Sequence, residues 1–254
     1  MGKLSINELK KIELDFWEND ELEGNGRETL ESMVNKFSEF EIFFEKMKKY
    51  EDIFQSSNLI LEIGGGQLWA SSILKKHFPK KKIIGTDISH HAIAGSHIWE
   101  RVFNVELDRK LTLDVVENDT DLDQVDLIFC FASAHHFSDF DKTFEGLKRI
   151  LSSNGKILFL HEPFSNRLFY KFALKRVNKK RPAVHEDLLR PHLIREGAQA
   201  NDLQLDIFRK PSIINRKGVA SLYYFVMNKI NFLNFIFPTS VDVLVSHQDM
   251  KSNN

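Results

Sequence analysis

Three groups of residues in this chain have the types and spacing for chemistry. The first is Leu59-Ile60-Leu61-Glu62-Ile63-Gly64-Gly65-Gly66-Gln67, where an apolar run ends in an acid and a glycine turn opens onto a helical pattern from Leu68 to His77. Glycines at a strand-to-helix turn permit positive φ and leave no Cβ between backbone and ligand. The helix N-terminus that follows offers unpaired N–H groups. The second is Asp87, which ends the run Lys82-Ile83-Ile84-Gly85-Thr86. A carboxylate about 20 residues beyond such a turn can accept hydrogen bonds from a ribose diol. The third is His135, His136, His161 and Glu162, candidate general bases expected at the C-terminal ends of two strands, the rim where an open α/β sheet binds ligands. Together they describe a nucleoside-containing cofactor on a Rossmann-like sheet, with proton-transfer groups beside it.

Competing chemistries are narrowed by the same residues. A dinucleotide turn needs a third glycine for close helix–strand packing, and that position holds Trp69. A phosphate-binding P-loop needs Gly-Lys-Ser/Thr, which does not follow these glycines. His90, His91 and His97 do not form a metal set, because adjacent helical histidines diverge and the single cysteine, Cys130, adds no cluster. No metal is expected.

The positioning elements follow from hydrophobic periodicity. Strands are expected at Asn58–Ile63, Lys82–Thr86, Leu111–Val116, Val125–Phe131 and Lys156–Leu160. Helices are expected at Leu68–His77, Ser89–Phe103 and Phe140–Leu151. Strands alternating with such helices imply a parallel sheet with right-handed crossovers, and the continuous run Val125-Asp126-Leu127-Ile128-Phe129-Cys130-Phe131 implies burial on both faces. Ahead of the sheet, Leu30, Met33, Val34, Phe37, Phe40, Phe44, Met47 and Phe54 recur at helical spacing. Glu23-Gly24-Asn25-Gly26 separates them from an earlier helix carrying Leu9, Ile12, Phe16 and Trp17. These read as a cap over one edge of the sheet, with Phe16 and Trp17 placed to close over cofactor or substrate.

The chain has 254 residues, and its 35 Lys+Arg against 36 Asp+Glu give a formal net charge of −1, which argues against a general nucleic-acid binder. One cysteine suits a reducing cytoplasm, and the N-terminus shows no apolar signal-peptide core.

Residues from Glu62 to Pro163 resemble class I S-adenosylmethionine-dependent methyltransferases. Leu61-Glu62-Ile63-Gly64-Gly65-Gly66 resembles that family's first motif, and Gly85-Thr86-Asp87-Ile88-Ser89 its second-strand motif, whose acid binds the ribose hydroxyls. Asp114-Val115 matches the adenine-contacting position. Asp126-Leu127-Ile128-Phe129-Cys130 with Ser133-Ala134-His135-His136-Phe137, and then Leu147 to Lys156, resemble the fourth-strand motif and the helix-turn-strand after it. The resemblance implies S-adenosylmethionine as cofactor, held by Glu62, Gly64, Gly65, Gly66, Asp87, Ile88, Asp114, Val115 and Phe131. It also implies a doubly wound, mostly parallel seven-stranded sheet with an antiparallel last strand at Val241–Ser246. His136 and Glu162 fall where the family often has a histidine and an acid, so each also has a structural role to play; His135 is the first choice of base.

The expected organisation is one domain over residues 1–254: a helical cap (1–55), a cofactor core (56–162), helical insertions (163–202 and 210–238) and a last strand (239–248). Residues 164–181 carry Arg167, Lys171, Lys175, Arg176, Lys179, Lys180 and Arg181 with no acid, and place Phe169, Phe172, Ala173 and Val177 on another face. A helix at His185–Ala200 and a strand at Leu203–Phe208 follow, then an apolar stretch at Val219–Phe237. Asn228, Lys229, Asn231 and Asn234 interrupt that stretch, and a membrane span there would keep its flanking strands apart. The insertions read as a substrate lid carrying Phe169 and Phe172, or as peripheral docking on an anionic membrane at the inner face. The expected activity is methyl transfer to oxygen or nitrogen of a small or lipid-linked metabolite. A non-catalytic cofactor-binding regulator and a nicotinamide-dependent oxidoreductase are the alternatives.

Overall fold

The computed structural model describes residues 5–19, 30–117, 120–122, 124–180 and 186–248. The expected turn at Glu23–Gly26, Arg181 of the basic segment, the start of the helix expected from His185 and the polar tail beyond 248 lie outside the described residues.

Seven strands form one sheet in the order β3-β2-β1-β4-β5-β7-β6. They are β1 (Leu59–Glu62), β2 (Lys82–Asp87), β3 (Arg109–Thr112), β4 (Val125–Phe131), β5 (Leu151–Phe164), β6 (Leu203–Phe208) and β7 (Thr239–His247). β1 pairs in parallel with β2 and β4, β2 with β3, and β4 with β5. β7 is antiparallel to both β5 and β6. The strand order therefore reverses between β1 and β4, and that switch point opens a crevice at the C-terminal rim. The glycine turn leaves β1 there.

The helices are α1 (Ile6–Asn19), α2 (Leu30–Lys49), α3 (Glu51–Ser56), α4 (Trp69–His77), α5 (His90–Ala94), α6 (Ser96–Phe103), α7 (Phe140–Ile150), α8 (Tyr170–Lys180), α9 (Pro191–Ala200), α10 (Val219–Lys229) and α11 (Leu233–Ile236). One apolar cluster joins α7, α9 and one sheet face through Ile128, Phe144, Phe159, Ile194 and Val243. The other joins α2, α3, α4 and α6 to the opposite face through Phe43, Phe54, Trp69, Trp99, Phe129 and Leu158. Burying each such aromatic contributes on the order of 2 kcal/mol of transfer free energy.

Several boundaries differ from the sequence reading. The expected single helix after β2 is two, α5 and α6, divided at Gly95, where an added Cβ would sit 3.0 Å from Gln67. β3 ends at Thr112 rather than Val116, so Asp114 and Val115 lie in the turn beyond it. β5 is longer than expected: the Ser152–Gly155 turn is absorbed as a register shift against β4, and the far end continues through His161-Glu162-Pro163. The apolar stretch 219–237 divides into α10 and α11.

The cap is also rotated and relocated. Phe40, Phe43, Met47, Tyr50 and Phe54 are buried, whereas Val34, Phe37 and Phe44 are exposed. The apolar positions of α2 are dense enough to offer two stripes, and packing selects the one continued by Tyr50 and Phe54. It covers a sheet face rather than an edge.

Candidate functional site

The glycine turn is strained where a side chain would be excluded. Gly64 and Gly66 have φ of +60° and +55°, and Leu68 follows at +62° as the residue capping α4. A Cβ on Gly64 would lie 2.9 Å from Ser133 Oγ, so the turn and the loop after β4 are in intimate contact. Gly66 N–H donates to Asp87 Oδ2 at 2.8 Å, and Ser89 N–H donates to Oδ1 at 2.9 Å. Asp87 therefore ties the first turn to the second strand end while keeping lone pairs for a ligand. Burial pushes its carboxyl up to about 6, against the opposing pull of the Ser89, Gly66 and Ile88 amides.

Glu62 lies beneath the turn. Its Oε2 accepts from Ser71 N–H at 3.1 Å and from Ser71 Oγ, so it braces the start of α4. Burial pushes its pKa up to about 8, partly offset by the Ser71 donors. The hydrogen-bond partners of Glu62 and Asp87 are backbone amides and Ser71, with no cationic side chain among the described residues. Two buried acids beside an open glycine turn suit a nucleoside ligand that brings its own positive charge.

α1 lies across this turn. A Cβ on Gly66 would meet the Trp17 indole at 3.0 Å, and Trp17 is buried with the half-buried Phe16 ring packed edge-on at 5.5 Å. Lys10 pairs with Asp114 at 2.6 Å and with Glu117 at 2.6 Å. The Asp114–Val115 turn is seated on α7, since a Cβ on Gly146 would come within 1.9 Å of the Val115 carbonyl oxygen. Ile88 and Val115 are half-buried beside it. A cavity of about 410 Å³ opens between α1 and α5, lined by Lys10, Leu14, His90, His91 and Glu117 among others. His90 and His91 line this cavity with their ring centroids 3.9 Å apart, rather than diverging as expected of adjacent helical histidines.

The loop after β4 gathers the histidines. Glu162 is fully buried, and its Oε1 accepts from Ser133 and Ala134 N–H, both at 3.0 Å. Its Oε2 accepts from His135 N–H at 3.1 Å and faces His135 Nδ1 at 2.9 Å. His135 Nε2 faces Glu186 Oε2 at 3.0 Å. Burial lowers the imidazole pKa, but the Glu162 and Glu186 bonds and charges outweigh it and raise it to about 9. A ring held this way donates from both nitrogens and is a poor proton acceptor. His136 is more open, with Nδ1 3.8 Å from Glu13 Oε2 and Nε2 3.7 Å from Glu186 Oε2. Glu13 completes the group from α1. Burial first, then the charges of Asp87 and Glu186, push its carboxyl to about 7, opposed by His135 and a bond from Trp17.

Four expected site residues lie elsewhere. His161 sits at φ +58° in the β5 irregularity and turns to the opposite sheet face, stacked on Phe131 at 5.6 Å between ring centroids. Burial, with Lys46 and Arg216 nearby, depresses its pKa to about 3, so it is a neutral core imidazole. The Phe131 ring is packed by Phe43 and Trp69 in the α2-side core. In the insertions, Phe169 stacks on Phe237 at 5.1 Å, while Phe172 is exposed to solvent and closes over nothing. Sequence reasoning missed Glu13 and Glu186. Glu13 stands one helical turn before Trp17 and was available from spacing; Glu186 follows no pattern and is brought in only by the tertiary fold.

A mostly parallel sheet with a switch-point crevice, a glycine turn and a following strand-end acid is a doubly wound α/β architecture of the kind that takes ligands at that rim. Residues 61–157 match the family model described as "Methyltransferase domain". No curated protein sequence matches the chain. Among solved structures, a geranyl diphosphate C-methyltransferase from Streptomyces coelicolor A3(2), determined with Mg2+, geranyl diphosphate and S-adenosyl-L-homocysteine, superposes with a TM-score of 0.66 at 11% identity, covering 94% of this chain and 98% of that one. A phosphoethanolamine N-methyltransferase 2 from Haemonchus contortus superposes with a TM-score of 0.60 at 16% identity, covering 97% of this chain and 61% of that one. These are likenesses of fold. Residues 61–157 thus match a methyltransferase domain, and the architecture around them is the fold of these two methyltransferases. Among the described residues, no helix is long and apolar enough to cross a membrane.

Proposed function

We propose that this methyltransferase alkylates an oxygen or nitrogen of a small or lipid-linked acceptor, held under α1 between the glycine turn and the histidine loop. When bound, S-adenosylmethionine supplies an electrophilic methyl: the acceptor lone pair forms the new bond, and the carbon–sulfur pair returns to sulfur. The protein's part is alignment and exclusion of water. Asp87 accepts from the ribose hydroxyls, the Gly64–Gly66 backbone takes the amino-acid end, and Asp114 with Val115 borders the adenine. Asp87 supplies the negative field that a sulfonium and an ammonium require, and a cation bound above the turn draws the Glu62 carboxyl back toward its ionised form. Trp17 covers the turn, and His136, the more open histidine, receives the acceptor's proton. The observation that carries this reading is the Asp87 carboxylate bonded to the glycine turn it would share with the ligand.

The surface beyond β5 favours an amphipathic acceptor. Leu168, Phe172, Leu222, Phe225, Phe232 and Phe235 are exposed, and α8 carries Lys171, Lys175 and Lys179. The segment leading into α8 meets α11 and the residue after it through the Phe169–Phe237 stack and the bond from Asn166 Nδ2 to the Phe235 carbonyl. Apolar side chains flanked by lysines suit a lipid tail with an anionic head.

Calorimetry tests the cofactor step. Micromolar S-adenosylmethionine binding is expected, weakened at least about tenfold, or 1.4 kcal/mol, by Asp87→Ala. No binding by the wild-type protein would refute the reading. Labelled-methyl transfer to fractionated lysate, resolved into lipid, sugar and protein pools, tests the acceptor. Label in the lipid or small-metabolite pool supports it; label confined to protein, or cofactor binding without transfer, overturns it.

A further inference from the structure

We propose that His135, His136 and Glu186 form a site for one divalent first-row transition ion, of the zinc class, at the acceptor side of the crevice. The inference rests on the methyl-transfer reading only for the ion's use, not for its binding. The three side chains offer two imidazole nitrogens and one carboxylate oxygen, all within 4.8 Å of one another. His135 Nε2 lies 3.0 Å and His136 Nε2 3.7 Å from the same Glu186 Oε2. An ion bound at about 2.0–2.1 Å to each of three tetrahedral ligands spaces those ligands by roughly 3.3 Å, so the observed separations bracket what is required.

The surroundings match a metal centre as well as the ligands do. A metal-bound histidine generally gives its other ring nitrogen to a carboxylate that fixes the tautomer. His135 Nδ1 meets Glu162 Oε2 at 2.9 Å, and His136 Nδ1 faces Glu13 Oε2 at 3.8 Å. Glu162 is itself anchored by three backbone amides, so the first ligand is held rigidly. Three carboxylates, Glu13, Glu162 and Glu186, face the two histidines, and a dication offsets that excess. The donor set of two nitrogens and one oxygen selects zinc, cobalt, iron or manganese over magnesium, which prefers oxygen ligands.

Three protein ligands leave a fourth position for a substrate atom. The loop bearing the two histidines touches the glycine turn at Ser133, so that position borders the cofactor crevice. The ion would hold an acceptor hydroxyl or phosphate oxygen there. With the ion bound, His136 serves as a ligand in place of the base, and a hydroxyl so held loses its proton to solvent more readily; its lone pair then forms the oxygen–carbon bond as the carbon–sulfur pair leaves with sulfur.

The test is a titration of the chelator-treated full chain with Co2+, read as visible d–d absorbance, with Zn2+ competition and a parallel Mg2+ arm. One equivalent of Co2+ is expected, displaced by Zn2+ and indifferent to Mg2+. His136→Ala and Glu186→Gln should abolish the band, and Glu13→Gln should weaken Co2+ binding by about tenfold as an outer partner. Retained S-adenosylmethionine binding in these variants shows that they fold and separates failure of the metal site from failure of the cofactor reading. Absence of a saturable band, a band that survives both ligand variants, or preference for Mg2+ overturns the proposal.

Discussion

The two faces of the sheet at the end of β5 carry buried charge in opposite ways. On the α2 side, Asp242 is wholly buried and takes Lys46 at 2.9 Å, Lys49 at 2.7 Å, the Tyr50 hydroxyl at 3.0 Å and the His161 amide at 3.1 Å. Every partner is a donor, and the lysine charges hold the Asp242 carboxyl below its ordinary value despite burial. On the α1 side, Glu162, Glu186 and Glu13 crowd His135 and His136. There acids outnumber bases, and Glu13 is forced upward in pKa. A satisfied knot fastens a helix to a sheet; a cluster left with surplus negative charge has the chemistry to take a cation. Adjacent residues of one strand, His161 and Glu162, divide between them.

That contrast is broken most forcefully by Asp242→Ala. It leaves Lys46, itself buried, without its counter-charge. Removing one partner of a buried pair costs about 3–5 kcal/mol. Urea unfolding should show a loss of that order. A loss under about 1 kcal/mol would mean the knot does not hold α2.

The pH dependence of stability separates the faces by sign. His161 stays neutral in the fold down to about pH 3, whereas its ordinary value is 6.5, so between these limits the unfolded chain binds the extra proton. Its contribution is complete above 6.5 and lost as pH falls toward 3, reinforced at the acid end by the depressed Asp242. Glu62 and Asp87 act oppositely. Their raised values, about 8 and about 6, make the fold bind more protons, so their contribution is lost as pH rises through those values. The urea midpoint should therefore fall on both sides of mildly acidic pH, and His161→Phe should flatten the acid limb alone. An acid limb unchanged by that substitution would place its origin elsewhere.

The cofactor half of the molecule was legible because its determinants are local. The run from Leu59 to Gly66, the spacing to Asp87 and the apolar run of β4 each declare themselves within a few residues, and the structure keeps all three. The antiparallel β7 was legible through its alternating valines. What was hidden depends on contacts between distant segments. Asp242 looks like a polar position in a half-exposed strand, yet it is bonded 196 residues away to Lys46. The face of α2 could not be chosen from spacing, because Phe37, Phe40 and Phe44 satisfy the same period and only the partner surface decides. Glu186 is carried to His135 by the chain beyond α8, where no periodicity marks it.

The smallest expected effect sharpens the comparison furthest. Glu13 is part-buried and stands among like charges, with Asp87 and Glu186 both raising its carboxyl. Glu13→Gln keeps the shape and removes one charge. If the α1 side is held against its own repulsion for the sake of a ligand, the substitution should stabilise the protein by about 0.5–1 kcal/mol in urea, while labelled-methyl transfer falls. The same exchange on the α2 side, Asp242→Asn, should lower stability. If Glu13→Gln destabilised as well, the two clusters would both be structural, and the surplus of acids beside His135 would need no arriving partner to explain it.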